Sequence, residues 1–335
     1  MLAMILNEPA LIENNPLKLT DIETPKPGPH EILVRVQVCG ICHTDLHTVE
    51  GELDLPKKPV VPGHQVVGAV ERLGQGASRF KEGDRVGMAW LYFTCGKCSY
   101  CLQGKENLCE NALFTGYHVD GGYAQYAVIH EDFAYPIPDR FSAEEAAPLL
   151  CAGIIGYRAL RLSEVKPGQK LGLYGFGASA HVAIQVAVYW GCKVYVFSRS
   201  KEHQKLAEDL GAVWTGIPTQ TPPEKLDSAI IFAPAGEIVL DALKALNKGG
   251  TLALAGIYMT PIPQMDYTEH LYYERTVRSV TASTRKDGEE LLQIAERIPI
   301  RTQTTSFALE EANKALQLLK QGKINGAGVL RIPQK

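Results

Sequence analysis

Between Ile32 and Val38 the chain alternates, with Val34, Val36 and Val38 apolar and Arg35 and Gln37 polar. A period of two is that of a half-buried strand. Val66-Val67-Gly68-Ala69-Val70 and Arg85-Val86-Gly87-Met88 predict further short strands with close turns. The first third of the chain thus reads as an antiparallel, barrel-like β domain. After Lys166-Pro167-Gly168 the texture changes. Apolar runs at 171–174, 193–197, 228–232 and 251–255 predict buried strands, alternating with helical stretches at 178–190, 201–210 and 238–246. That order predicts a doubly wound parallel sheet covered by helices on both faces. Residues 278–282 predict one more strand before the chain returns to the first domain. A length of 335 residues exceeds one comfortable core. We therefore expect an α/β protein with a β-rich domain over 1–152, to which 284–335 returns, and a parallel-sheet domain over 153–283.

Charge contributes exclusions. With 34 Lys and Arg against 37 Asp and Glu, the net charge is -3, and no basic run or basic-aromatic patch occurs. Nothing here draws the chain to nucleic acid or to an anionic membrane. The apolar opening Met1 to Leu6 meets Asn7 and Glu8 at once, too short for a signal peptide, and no window approaches a membrane span. The 8 cysteines gather at metal rather than disulfide spacings, so a reduced, cytoplasmic setting is expected. Cys39 and Cys192 stand outside the proposed sites and read as small buried hydrophobes.

Cys95, Cys98, Cys101 and Cys109 form a C-x2-C-x2-C-x7-C cluster. Four thiolates in one short lobe suit a closed tetrahedral zinc site, and metal there substitutes for a core that so few apolar residues cannot build. Iron-sulfur ligation is the rival. Its bacterial pattern closes with a three-residue gap and a following Pro, whereas here the gap is seven and Glu110 follows. A zinc ribbon that binds nucleic acid would want basic neighbours, which are missing.

Gly175-Phe176-Gly177-Ala178-Ser179-Ala180 follows a predicted strand and opens a predicted helix. A G-x-G-x-x-A turn in that context is a dinucleotide signature. Gly175 makes the turn, Gly177 lets backbone approach a pyrophosphate, and Ala180 keeps helix and strand close. The helix N-terminus opening at Ala178 offers partial positive charge to the phosphates. Enzymes using NAD carry an acid about 20 residues on, at the end of the second strand. Here the segment reads Val196-Phe197-Ser198-Arg199-Ser200. The acid is missing, and Ser198 and Arg199 suit a 2′-phosphate, so NADP(H) is expected in preference to NAD(H).

In order along the chain, Cys39-Gly40-Ile41-Cys42-His43-Thr44-Asp45, Pro62-Gly63-His64, the four-cysteine lobe and Cys151-Ala152-Gly153 resemble the zinc-containing medium-chain alcohol dehydrogenases, especially the bacterial cinnamyl-alcohol-dehydrogenase-like members. The resemblance implies a GroES-like β-barrel catalytic domain and a Rossmann coenzyme domain. It implies two zinc ions per chain, the catalytic one on Cys42, His64 and Cys151, with Asp45 orienting His64. It also implies a proton path from Thr44 through the cofactor ribose to His47. His43 and Arg285 would meet cofactor phosphates, and the backbone of Ala233, Ala255, Gly256 and Ile257 would line the nicotinamide. Trp90, with Tyr117 and Leu113, would wall the substrate. Relatives assemble as dimers or tetramers, so a homo-oligomer is expected.

Magnitudes explain the need for metal. Zinc lowers the pKa of bound water from about 15.7 to about 7. The same drop for an alcohol is about 12 kcal/mol, against roughly 3–5 kcal/mol from a general base alone. One departure stands out: family members follow Gly-His with Glu, and this chain has Gln65. The three ligands remain, so we expect Gln65→Glu to change turnover more than zinc content. Equal turnover of the two forms would retire that expectation. The reading is a zinc-dependent, NADP-preferring oxidoreductase acting on a primary alcohol or aldehyde. Polyol or other alcohol oxidation, and a catalytically weak zinc-stabilised nucleotide-binding protein, are the alternatives.

Overall fold

A computed structural model describes residues 1–324 and 326–334. The chain forms two compact units. The first comprises Met1–Cys151, Ala282–Glu296 and the chain from Arg301 onward; the second comprises Ala152–Thr281 and Arg297–Ile300.

The first unit is built on a seven-stranded sheet. Its long central strand, Glu31–Ile41, contains the alternating segment read from the sequence. It pairs antiparallel with Gln65–Leu73, with Tyr126–His130 and with Ala327–Arg331. Two register shifts against Gln65–Leu73 bend it, one between Leu33 and Val34 and one between Val36 and Val38. Arg85–Met88 and Ala134–Pro136 extend the sheet. The expectation of antiparallel pairing has one exception, since Thr304–Ala308 runs parallel to Ala327–Arg331. Val34, Val36, Val66, Val70, Val86 and Met88 are buried in one core. A Cβ at Gly68 would fall 2.3 Å from the Arg35 carbonyl oxygen, so only glycine lets these strands approach there.

In the second unit a six-stranded parallel sheet is centred on Lys170–Tyr174, with Lys193–Phe197 and Trp214–Gly216 on one side. Leu226–Ile231, Leu246–Leu254 and Thr276–Ser279 lie on the other. Numbered within this unit, the strand order is 3-2-1-4-5-6, that of a dinucleotide-binding doubly wound sheet. The expected last strand at 278–282 lies instead at Thr276–Ser279, and Ala282 turns out of it with φ +47°. Trp214–Gly216, too short to show a period, was not legible in the sequence. Among the described residues, no helix is long and apolar enough to cross a membrane.

Candidate metal and nucleotide sites

Cys42 and His64 are 22 residues apart, and strand register brings them together. Gly40 pairs with Gln65, so the residues just beyond this last pair leave the sheet side by side. His64 follows Gly63, whose φ is +97° and whose Cβ would strike Tyr123 at 2.3 Å. Glycine is the residue that this turn accepts. Cys151 arrives on the one-turn helix Ala147–Leu150, which is entirely buried. Leu150 closes against Gly87, where a Cβ would come within 2.8 Å of its Cδ1.

The Cys42 Sγ lies 3.5 Å from His64 Nε2 and 3.9 Å from Cys151 Sγ. Tetrahedral zinc with ordinary bond lengths needs S···N edges of about 3.6 Å and S···S edges of about 3.8 Å. The Cys151 thiol beside it, then burial, hold the Cys42 thiol well above its ordinary range. Two thiolates share such a spot only with a cation between them. The donor set therefore fits zinc, and its three ligands match an open catalytic site rather than a closed one.

Asp45 has two tasks. One carboxylate oxygen accepts the Cys42 N–H at 2.9 Å and closes the capping box of helix His43–Glu50. The other lies 2.9 Å from His64 Nδ1, which leaves Nε2 for the metal. His64 is 1% and Asp45 3% exposed, so neither partner exchanges this contact for water. Gln65 is buried beside them, and its Nε2 has no hydrogen-bond partner among the described residues. The Trp90 ring meets His64 edge-on at 5.1 Å and stacks on Phe114 at 5.0 Å, with Tyr117 at 5.8 Å. Phe114 is thus the ring that stacks on Trp90, a neighbour that sequence reasoning missed.

Thr44 and His47 lie three residues apart on helix His43–Glu50, hence on one face of it. The Thr44 N–H donates to Cys42 Sγ at 3.3 Å. His47 is half-buried with its Nδ1 at the Glu52 carboxylate, a partner that sequence reasoning missed. Surrounding protein, then the charge of nearby His47, hold His43 below the ordinary histidine range.

The lobe brings Cys98 Sγ to 3.5 Å from Cys101 Sγ, and Cys109 Sγ to 3.6 Å from Cys95 Sγ. All four ligand atoms lie within 4.8 Å of one another. Backbone N–H groups of Lys97 and Cys98 pull the Cys95 thiol down to about 6, while burial, then Cys98 and Cys109, push Cys101 up to about 12. This too is a closed four-sulfur set that fits zinc.

The nucleotide turn belongs to the second unit. Gly175 has φ +86°, and a Cβ there would lie 2.9 Å from the Ala233 nitrogen. Gly177 begins helix Ala178–Tyr189 with no side-chain cap, and open space surrounds the position of its missing Cβ. The first N–H groups of this helix are therefore free for an anion. The Phe176 side chain is buried, so that residue can offer only backbone. Ala233, Ala255, Gly256 and Ile257 follow strands Leu226–Ile231 and Leu246–Leu254, at the sheet end that carries the glycine turn. Ser198 is buried and its Oγ accepts the Ser200 N–H at 3.3 Å, which leaves its own hydrogen to donate. Arg199 is exposed and makes no hydrogen bond or ion pair among the described residues.

Arg285 departs from expectation. Its guanidinium grips Glu106 through Nε and Nη2 at 2.8–3.2 Å and lies 4.5 Å from the Phe133 ring centroid. Its backbone N–H donates to the same carboxylate at 2.7 Å. Glu106 sits between the third and fourth lobe cysteines, so Arg285 ties the lobe to helix Arg285–Arg297. The forked pairing uses the donors that a phosphate would need.

Residues 28–139 match the family model of the alcohol dehydrogenase GroES-like domain, and residues 180–297 match that of zinc-binding dehydrogenases. A probable alcohol dehydrogenase, AdhA, of Mycobacterium tuberculosis is 46% identical over 337 residues, covering 99% of this chain and 97% of the relative. The structure of CAD from Helicobacter pylori complexed with NADP(H) superposes with a TM-score of 0.86 at 27% identity, covering 99% of each chain. Acetophenone reductase from Geotrichum candidum, in complex with NAD, gives 0.87 at 25% identity, covering 98% of this chain and 96% of that one.

Proposed function

The chain belongs to the zinc-containing medium-chain alcohol dehydrogenase family, and we propose that within it this protein moves hydride between NADP(H) and a primary alcohol or aldehyde, working chiefly as an aldehyde reductase. At the coarser level it is a zinc-dependent oxidoreductase acting on an alcohol or aldehyde with a nicotinamide nucleotide. The observation that carries the reading is the meeting of the Cys42, His64 and Cys151 ligand atoms within 4.8 Å of one another, both Cys42 edges at tetrahedral lengths, with Asp45 behind His64.

Zinc held by those three ligands supplies Lewis acidity to a substrate oxygen, and the nucleotide supplies the hydride. Everything else falls to the chain. Asp45 fixes the His64 ring and its tautomer. Trp90 and Phe114 wall the metal site with apolar surface, which favours unbranched or aromatic substrates and keeps water away. Such a wall discriminates by only about 1–3 kcal/mol per methylene, so it selects a class rather than one compound. The Thr44 hydroxyl hands the proton to or from substrate, and His47 exchanges it with water. The N-terminus of helix Ala178–Tyr189 receives the pyrophosphate, while Arg199 and Ser198 receive the 2′-phosphate. Use of the phosphorylated nucleotide supports reduction as the cellular direction.

Metal analysis combined with initial rates tests the reading. We expect two zinc ions per chain and consumption of NADPH with benzaldehyde and with short unbranched aldehydes. A higher kcat/KM with NADH would overturn the nucleotide assignment. No consumption of either nucleotide with any alcohol or aldehyde would overturn the reaction.

A further inference from the structure

We propose that Glu52 is a positioning residue of the proton path, holding His47 in the tautomer and orientation in which its Nε2 is the free base. The inference rests on the relay role given to His47 above. Helix His43–Glu50 ends in a tight reversal. Gly51 takes φ +79°, and the N–H groups of Gly51 and Glu52 both point at the His47 carbonyl, the latter at 3.0 Å. A Cβ at Gly51 would come 2.8 Å from Pro9 Cβ, so this position wants glycine for conformation and for space alike. The double closure folds Glu52 back over the last turn. Its Oε2 lies 2.5 Å from His47 Nδ1.

A carboxylate can only accept, so Nδ1 carries the ring hydrogen and Nε2 is left as the base. Neutral imidazole free in water favours the opposite tautomer, hence the protein has to impose this one. The same contact holds the ring in place while Nε2 gains and loses the relayed proton. The His47 side chain is 20% exposed and Glu52 60%, which sets the pair at the border between a sheltered ring and open water. In alcohol oxidation the substrate proton reaches Nε2 and is released to water; in aldehyde reduction it travels the other way.

Other charged groups near this helix are already committed. Glu50 accepts from the Ile12 N–H at 2.9 Å and from Lys320 at 2.8 Å, and Lys320 also binds Glu13. His43 has its ring centroid 6.4 Å from that of His47, and surrounding protein, then His47, hold it below the ordinary histidine range. Glu52 is thus the acid that His47 answers to.

Glu52→Ala, Glu52→Gln and His47→Gln in the zinc-loaded enzyme test this. The His47 signal in ring-15N spectra is the one that His47→Gln abolishes. Above neutral pH it should report Nδ1–H in the parent and in Glu52→Gln, whose amide oxygen still accepts, and should revert toward Nε2–H in Glu52→Ala. We expect kcat of Glu52→Ala to fall about tenfold, less than the roughly 10²–10⁴-fold that a general acid–base group itself supplies, because His47 remains. The solvent isotope effect should rise and KM for aldehyde should hold, with partial recovery in added formate. Parental tautomer, kcat and isotope effect in Glu52→Ala, beside a slowed His47→Gln, would overturn the proposal while leaving the relay standing. A His47→Gln enzyme with parental turnover would overturn the relay itself, and this inference with it.

Discussion

Cys42→Ser should leave one zinc per chain instead of two and lower kcat/KM by about a thousandfold or more, roughly 4 kcal/mol of transition-state stabilisation. Serine is the informative choice because Cys42 has two jobs. Its sulfur is a candidate metal ligand and also the N-cap acceptor for the Thr44 N–H. Alanine would remove both, and losing a cap costs about 0.5–2 kcal/mol in its own right. Serine is among the favoured N-cap residues but a poor zinc ligand, so the helix should persist while the metal leaves. Cys109→Ser is the counterpart. It should also remove one zinc, yet its main effect should be a lower melting temperature and faster proteolysis within 95–109, since that lobe has metal in place of a core. Metal analysis, thermal melts and steady-state rates on both variants would separate the sites. Two zinc ions and parental turnover in Cys42→Ser would refute the assignment of the catalytic metal.

The contrast between those variants follows what the sequence could reveal. The lobe was legible because its four ligands fall within fifteen residues, and spacing alone is enough to suggest closure around a metal. Cys42 and Cys151 are 109 residues apart. They meet because Gly40 registers with Gln65 and because Leu150 packs on Gly87, and neither pairing leaves a periodic trace. Family resemblance supplied that triplet where pattern could not. It was less helpful for Arg285, whose partner Glu106 lies 179 residues away and whose charge read equally well as a phosphate ligand. Glu52 carried no motif either. The Gly51 that turns it back on His47 was visible, but a helix-ending glycine does not say which side chain it redirects. Strands and helices of the parallel sheet were easiest, since buried apolar runs and amphipathic stretches alternate there without interruption.

Arg199→Asp should invert nucleotide choice, lowering the ratio of kcat/KM for NADPH to that for NADH by roughly a hundred- to a thousandfold. The Arg199 guanidinium is exposed and has no partner among the described residues. It has nothing to surrender when a phosphate binds. Hydrogen bonds to a charged group contribute about 1.5–3 kcal/mol, which is roughly a factor of 10 to 150. Arg199→Ala should forfeit that much and leave little preference. Aspartate goes further, because it repels a 2′-phosphate and offers an acceptor to a ribose hydroxyl, the arrangement that NAD enzymes place near this strand end. Ser198 donates in either case and should not reverse the choice. Exposure of Arg199 adds a second signature: added salt screens a surface charge over about 8 Å at physiological ionic strength, so the parent's preference should weaken as salt rises while that of Arg199→Ala stays flat. Measured ratios that ignore both the substitution and the salt would mean that the nucleotide is selected elsewhere on the chain.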